Sequence, residues 1–553
     1  MYPGRKHRPI VTAIMFMIAL LLMSACAPAT PQVVEKIVKE TVVVEKEKIV
    51  PQTVVVEKEK VVQQTVVVEK EKKVEAITIV LEERFENLDP HNHNGLSMYL
   101  LYKNILGSLT TRDKDGKLIP ALATEWKTLE PTVWEFKLRQ GVKFTNGEPF
   151  NAKAAKCSID RMVSSATWGT MRQASIWRAI DRAEVVDDYT IKIITKAPSG
   201  SLLNNLVLSS ILPLSVCEKH PKEPITDPKE IIGTGPYMLT RWVAGEGATV
   251  EANPNYYGEP KPKIGRITFQ TILEPATRIA ALQSGGADIA WALMPAQAVE
   301  PLKKDPNLNI YSIESYRVMW VAFHHSHPPF NNPKLREAAQ RAVNWDQICK
   351  TVLVGEGICG NFMVAPTVFG AATDLDPKVT AYDPERSKAL LKEAGFAPGD
   401  GPEVRIASVV GTPTGWLEAM VAQLNAVGFK AKLDLMEVGD YLKVRNEGKC
   451  EIFANGFTTM TDLDAQVPIM FSCASSRNKY CNPEVDKLME AAAAETDQAK
   501  RVQLYKQMFD LAWADRADIF HYQIITNVGV NKRITGFVPR PDNQLELNLL
   551  GVQ

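Results

Sequence analysis

From Val133 the side chains alternate in character: Trp134, Phe136 and Leu138 are apolar, while Glu135, Lys137 and Arg139 are charged. Successive side chains of a strand point to opposite faces, so this period of two describes a strand with one side buried. Gln140-Gly141 interrupts the pattern and Val142 to Thr145 resumes it. Asn146-Gly147 then predicts a hairpin turn, because both residues tolerate the positive φ of a type I′ turn. Asn151 is placed to cap a helix running through Ala152, Ala155, Ile159 and Arg161. Strand, hairpin, strand and capped helix commit this stretch to a mixed α and β core.

A chain of 553 residues exceeds what one hydrophobic core serves, so two or more domains are expected. Lys+Arg and Asp+Glu both number 64, which leaves no bulk field to draw nucleic acid or acidic lipid. The eight cysteines include no Cys-x-x-Cys pair, against a structural zinc site.

Arg5, Lys6, His7 and Arg8 precede an uncharged apolar run, Ile10 to Met23, that is too short to span a bilayer comfortably. It ends in Met23-Ser24-Ala25-Cys26, which resembles the bacterial lipoprotein box, with Met23 a mild departure. That resemblance implies that residues 1–25 are a signal peptide and that Cys26 becomes a lipidated first residue. Several acyl chains on one cysteine would hold the protein durably to a membrane. Thr41-Val-Val-Val-Glu-Lys-Glu-Lys48 then recurs at Thr53 to Lys60 and Thr65 to Lys72, a period of twelve. Pro31 to Glu75 holds nine Glu, nine Lys and no aromatic residue. Valine runs disfavour helix, and such low complexity packs no core, so 26–75 reads as a solvated, partly extended stalk. As a flexible coil it would reach on the order of 40 Å. Self-association through the repeat is the other reading.

The globular part carries PALATEW (Pro120–Trp126), WEFKLRQGVKFTNGEPFNA (Trp134–Ala152), NLDPHNHN (Asn87–Asn94), GTGPY (Gly233–Tyr237), NPNYYG (Asn253–Gly258) and LQSGGADIAW (Leu282–Trp291). Together these resemble the extracytoplasmic solute-binding proteins of family 5, the receptors of ABC importers, and the likeness runs from Ala76 to the end. It implies an α/β, two-lobed periplasmic-binding-protein-like fold of the large type II variety, with mixed sheets flanked by helices and a hinge. Lobe I would be 76–325 plus 516–553, and lobe II 326–515. The implied function is a receptor that binds a small solute, peptide or peptide-like first, between the lobes and delivers it to an ABC permease and ATPase. It would be an extracytoplasmic, lipid-anchored monomer without cofactor. An oligosaccharide or metal chelate as solute, or a ligand sensor or chaperone on the same fold, are the alternatives. No His-Glu-x-x-His, Gly-x-Ser-x-Gly or P-loop supports an enzyme.

Peptide-binding relatives hold the ligand's ammonium with an aspartate three residues past a tryptophan. Here the matching place reads Phe457-Thr-Thr-Met460, followed by Asp462 and Asp464, and the arginine ahead of a second-lobe helix is replaced by Gly411-Thr-Pro-Thr-Gly-Trp416. A zwitterionic dipeptide would then lack its charged anchors. The cleft candidates are Trp416, Phe457, Asp462, Trp320 and His324. Trp416 has a second reading, as an aromatic in the lobe interior. His91 with His93, and His324 with His325 and His327, carry ligating nitrogens, but histidines on one loop do not show convergence, and no metal is assigned. In an exported protein Cys473 and Cys481, across a short polar loop, are placed to bridge, with Cys349 and Cys359 a weaker second pair.

Overall fold

The structure, a computed structural model, describes residues 51–56, 60–65 and 75–553, apart from 86, 93–95, 115, 169–176, 292–293, 459–461 and 476. Cys26, the apolar leader, His93 and Met460 lie outside the described residues. The chain divides into two units, 1–73 and 74–553. In the first, Pro51–Val56 pairs antiparallel with Lys60–Thr65, setting Val54 opposite Val62 and Val55 opposite Val61. The β-branched residues that argue against helix thus supply strand pairs, and the stalk contains a local hairpin. No helix among the described residues is long and apolar enough to cross a membrane.

In the second unit the alternating stretch forms strand Val133–Leu138, with Trp134, Phe136 and Leu138 buried. It lies in a four-stranded antiparallel sheet with Ala123–Glu130, Thr190–Thr195 and Ile180–Asp187. Asn151 caps the helix Ala152–Trp168 by accepting from Lys153 N and Ala154 N. The hairpin turn differs from expectation. Only Gly147 has positive φ (90°), and its N–H donates to Phe144 O. Asn146 instead accepts from Glu148 N, so the turn is not type I′, which needs both residues left-handed.

Eleven strands form the large sheet. Its path runs Tyr237–Val243, Gly247–Ala252, Arg266–Thr271, Ala76–Leu81, Ile289–Trp291, Asp518–Asn531, Leu308–Phe323, Ile452–Thr458, Glu403–Val409 and Lys430–Met436, with Gly357–Cys359 also paired to Asp518–Asn531. Leu308–Phe323 and Asp518–Asn531 serve two hydrophobic cores each. Leu308 and Ile313 pack with the Ala76 side of the sheet, whereas Trp320, Val321, Ala322 and Phe323 pack with residues from 321 to 524. On the returning strand Ile519, Tyr522 and Ile524 belong to the second group, and Val528 and Val530 to the first. The pairing of the two strands jumps from Glu314–Ile525 to Val318–Gln523, so register breaks where the cores change hands. Ser315 holds the break by donating its Oγ to Ile524 O, and Gln523 Nε2 donates to Ser315 O. The exchange therefore falls inside the strands, ahead of 325 and beyond 515.

Three disulfides are formed. Cys473–Cys481 and Cys349–Cys359 close short loops, and Cys157–Cys217 ties the helix Ala152–Trp168 to Leu214–Lys219. Cys450 is a buried free thiol whose pKa burial pushes up to about 12. The NLDPH turn is locked from within: Asp89 accepts from Arg161 and from the backbone N–H groups of His91 and Ile225. His91 Nε2 donates to Ser210 O, and its Nδ1 accepts from Arg161, so both ring nitrogens are spent on protein partners.

Candidate functional site

Strands Glu403–Val409, Lys430–Met436 and Ile452–Thr458 are parallel, and their carboxyl ends meet at one edge of the sheet. Leu308–Phe323 runs antiparallel beside them, with Arg317 opposite Thr458. Loops leaving the carboxyl ends of parallel strands are where open α/β sheets hold ligands. Here that edge coincides with the strand break at 314–318. Phe457, in the last turn of its strand, is half-buried, and the Arg477 guanidinium lies 5.7 Å from its ring centroid.

Asp462 faces this region but is consumed. Its Oδ1 accepts from Arg501 Nη2 at 2.6 Å, and its Oδ2 accepts from Arg501 Nη1 at 2.9 Å and Asn204 Nδ2 at 2.7 Å. Asp464 also pairs with Arg501 at 2.9 Å and accepts from the Tyr505 hydroxyl. Burial first, and the Asp462 charge second, raise the Asp464 pKa above the usual carboxylate value. Sequence reasoning missed Arg501, which sits on the helix Gln498–Ala514 and is wholly buried. The available signal was Asp462 and Asp464 two apart, straight after a strand: two carboxylates so close call for a shared cation. Asp462, a cleft candidate, has its carboxylate oxygens taken by Arg501 and Asn204.

The same cluster joins parts of the chain far apart in sequence. Asn204 Oδ1 accepts from Arg112 Nη2 at 3.1 Å while its amide reaches Asp462, and Gly200 N donates to Ala493 O at 2.8 Å. Gly200 has to lack a side chain: a Cβ there would collide with Glu495 O and the Arg501 side chain.

Trp416 is 1% exposed, on the helix Gly415–Val427, with its ring edge-on to Tyr522 at 5.4 Å and its Nε1 donating to Pro413 O. Trp320 is fully buried edge-on to Phe453 at 5.5 Å. Both therefore build core here rather than a cleft wall, and the interior reading of Trp416 is the one the packing favours. His324 is displaced in another sense. It follows directly after the strand's last residue, Phe323, seven residues on from Arg317 and roughly 23 Å away at 3.3 Å per residue. There it is buried, stacked on His327 at 4.6 Å, with Nδ1 bonded to Ser326 Oγ. Burial first, then the charges of His327 and Lys479, lower its pKa to about 4. His325 Nε2 donates to Ala517 O, and burial lowers its pKa to about 3. Among the described residues no group of three or more His, Cys, Asp or Glu is placed to hold a metal.

Two cavities open elsewhere. One of about 220 Å³ is lined by Lys103, Thr234, Tyr257, Arg540 and Glu546 among others, and a neighbour of about 50 Å³ by Tyr99, Ser209 and Asp542. Neither includes any residue between 331 and 515.

A sheet whose two long strands carry both cores, with a register break at the crossing, is the layout of two-lobed extracytoplasmic binding proteins. Known structures agree. HbpA2 from Haemophilus parasuis superposes with a TM-score of 0.74 at 24% identity, covering 86% of this chain and 100% of that one. DppA from Helicobacter pylori in complex with the peptide STSA gives 0.73 at 24% identity, with 86% and 98% covered. The glutathione-binding protein GsiB of Pectobacterium atrosepticum is 30% identical over 477 residues, which is 83% of this chain and 90% of its own length. Residues 117–478 match the bacterial extracellular solute-binding proteins, family 5 (middle region). The chain belongs to that family, as an extracytoplasmic solute-binding protein of the ABC-importer class.

Proposed function

We propose that this protein is a lipid-tethered receptor that clamps a peptide or peptide-like solute between two lobes and hands it to an ABC permease and ATPase. The carrying observation is the similarity over 83% of the chain to a glutathione-binding protein, joined to a fold in which two strands connect two separately packed cores. The lobes in this reading are 76–314 with 526–553, and 318–523, with the strand break as hinge. A solute contacting both lobes selects the closed arrangement because only that state makes both sets of contacts. Phe457 and the Thr458 edge are the solute-facing elements. The relatives it resembles are binding proteins, and in this reading its work is capture and release of the solute. Cys26 carries the membrane anchor, and the stalk holds the body clear of the surface.

The test is native mass spectrometry of the purified, folded protein against a tripeptide pool that includes glutathione. Retention of a peptide, with a rise in melting temperature, supports the reading. Retention of a sugar or metal chelate instead would replace the peptide class. No retention and no thermal shift across all three classes would refute the receptor role.

A further inference from the structure

At the carboxyl-terminal edge of the parallel strands stands a cation that pairs with no carboxylate among the described residues. Arg317 sits at the strand break, half-buried, and its guanidinium has no hydrogen-bond or ion-pair partner among the described residues. Arg501, the cation bonded to Asp462, is paired with both Asp462 and Asp464. Glu356 is near enough to influence Tyr522 together with Arg317, yet the two do not pair. Two residues before Thr458 the neighbouring strand carries Gly456, opposite Met319, where a Cβ would come 3.8 Å from Arg317 Nη2 and would crowd Met319 Sδ. The missing side chain leaves the guanidinium lying along bare backbone beside Thr458, at the edge where the two cores meet.

A charged group taken partly out of water without a partner is costly, and proteins keep one where it has a use. A planar guanidinium offers two parallel donors to a carboxylate, with direction as well as charge. Asp462, beyond the end of Ile452–Thr458, is already saturated by Arg501 and Asn204. We propose that Arg317 is the specificity-determining residue of the cleft, fixing a carboxylate of the solute, so that the receptor selects anionic peptide-like ligands over the same ligands with that carboxylate blocked. This rests on the solute-receptor reading above.

The test uses an equimolar pool of tripeptides, half with free carboxyl termini and half carboxamides, plus glutathione and its dimethyl ester. Capture by wild type, Arg317→Met and Arg317→Lys is read by native mass spectrometry, with circular dichroism confirming folding. Wild type is expected to enrich the free acids at least tenfold over their blocked forms. Arg317→Met should lose that enrichment while still capturing peptides, and Arg317→Lys should keep part of it. Wild type capturing acids and blocked forms alike, or Arg317→Met discriminating as wild type does, would overturn the role of Arg317 and leave the receptor reading standing. Capture of nothing from the pool by wild type would overturn both.

Discussion

Replacing Arg501 by methionine tests how the buried carboxylate pair is held. Arg501 is the cation bonded to both Asp462 and Asp464, and the Arg501 and Asp462 side chains are fully enclosed. Without it, two carboxylates face each other inside the protein beside Tyr505. Removing one partner of a buried pair costs about 3–5 kcal/mol, because the remaining charge is stranded. The variant can escape by binding a proton. The Asp464 pKa is already raised in the intact protein, chiefly by burial, so a proton is taken up there more readily than by a free carboxylate. A carboxyl raised in the folded state penalises folding above its folded pKa and relieves that penalty as pH falls through it. One proton recovers at most about 1.4 kcal/mol per pH unit. Urea unfolding followed by tryptophan fluorescence at pH 7.5 and pH 5 reads this directly. We expect a loss of about 3–5 kcal/mol at pH 7.5 that shrinks at pH 5. A loss under about 1 kcal/mol at pH 7.5, or a loss equal at both pH values, would refute the picture of an enclosed, charge-balanced cluster.

Opening Cys157–Cys217 by a double alanine substitution should destabilise by about 4 kcal/mol, and opening Cys473–Cys481 by about 2.5, because the first closes a span of 60 residues and the second one of 8; equal losses in urea melts would refute the loop-length argument. His91, His324 and His325 are all held below the ordinary histidine pKa, at about 4, 4 and 3, chiefly by burial. Stability should therefore be intact above pH 6.5 and fall between there and pH 4, where the unfolded chain takes up the protons. His324→Gln should flatten that slope, and an unchanged pH profile would argue against its burial. Cys26→Ser should move the protein from the membrane fraction to the aqueous fraction; retention on membranes would exclude acylation as the anchor.

Elements with strong local patterns were legible in the sequence. Val133–Leu138 could be read from its alternation and Asn151 from capping chemistry. Gly428, which ends the helix Gly415–Val427 at φ 113°, could be read from its place after an apolar run. Partnerships between distant segments were not. Nothing near Cys157 names Cys217, and nothing near Arg501 names Asp462, because these pairings follow from how helices pack. Trp416 and Trp320 show why cleft residues resist sequence reading: an aromatic at a helix or strand position that faces inward looks the same whether the space beyond holds a solute or Tyr522. His324 stands far from the crossing for a metrical reason, since the strand from Arg317 to Phe323 runs between them. Arg317 left no mark at all, because an unpaired charge is defined by what fails to surround it.

The core that begins at Ile77 is completed by Val528, Val530, Ile534, Leu545, Leu547 and Leu550. Synthesis must thus reach Leu550 before the core around Ile77 can seal. Before that the core around Ile77 lacks its closing side chains, and an unsealed core suits a chain that a secretion channel passes as extended polypeptide. Clipping the final residues would leave the opening half of the molecule without its closing seam, so a truncated product should be cleared by proteases even though everything it lacks lies at the far terminus.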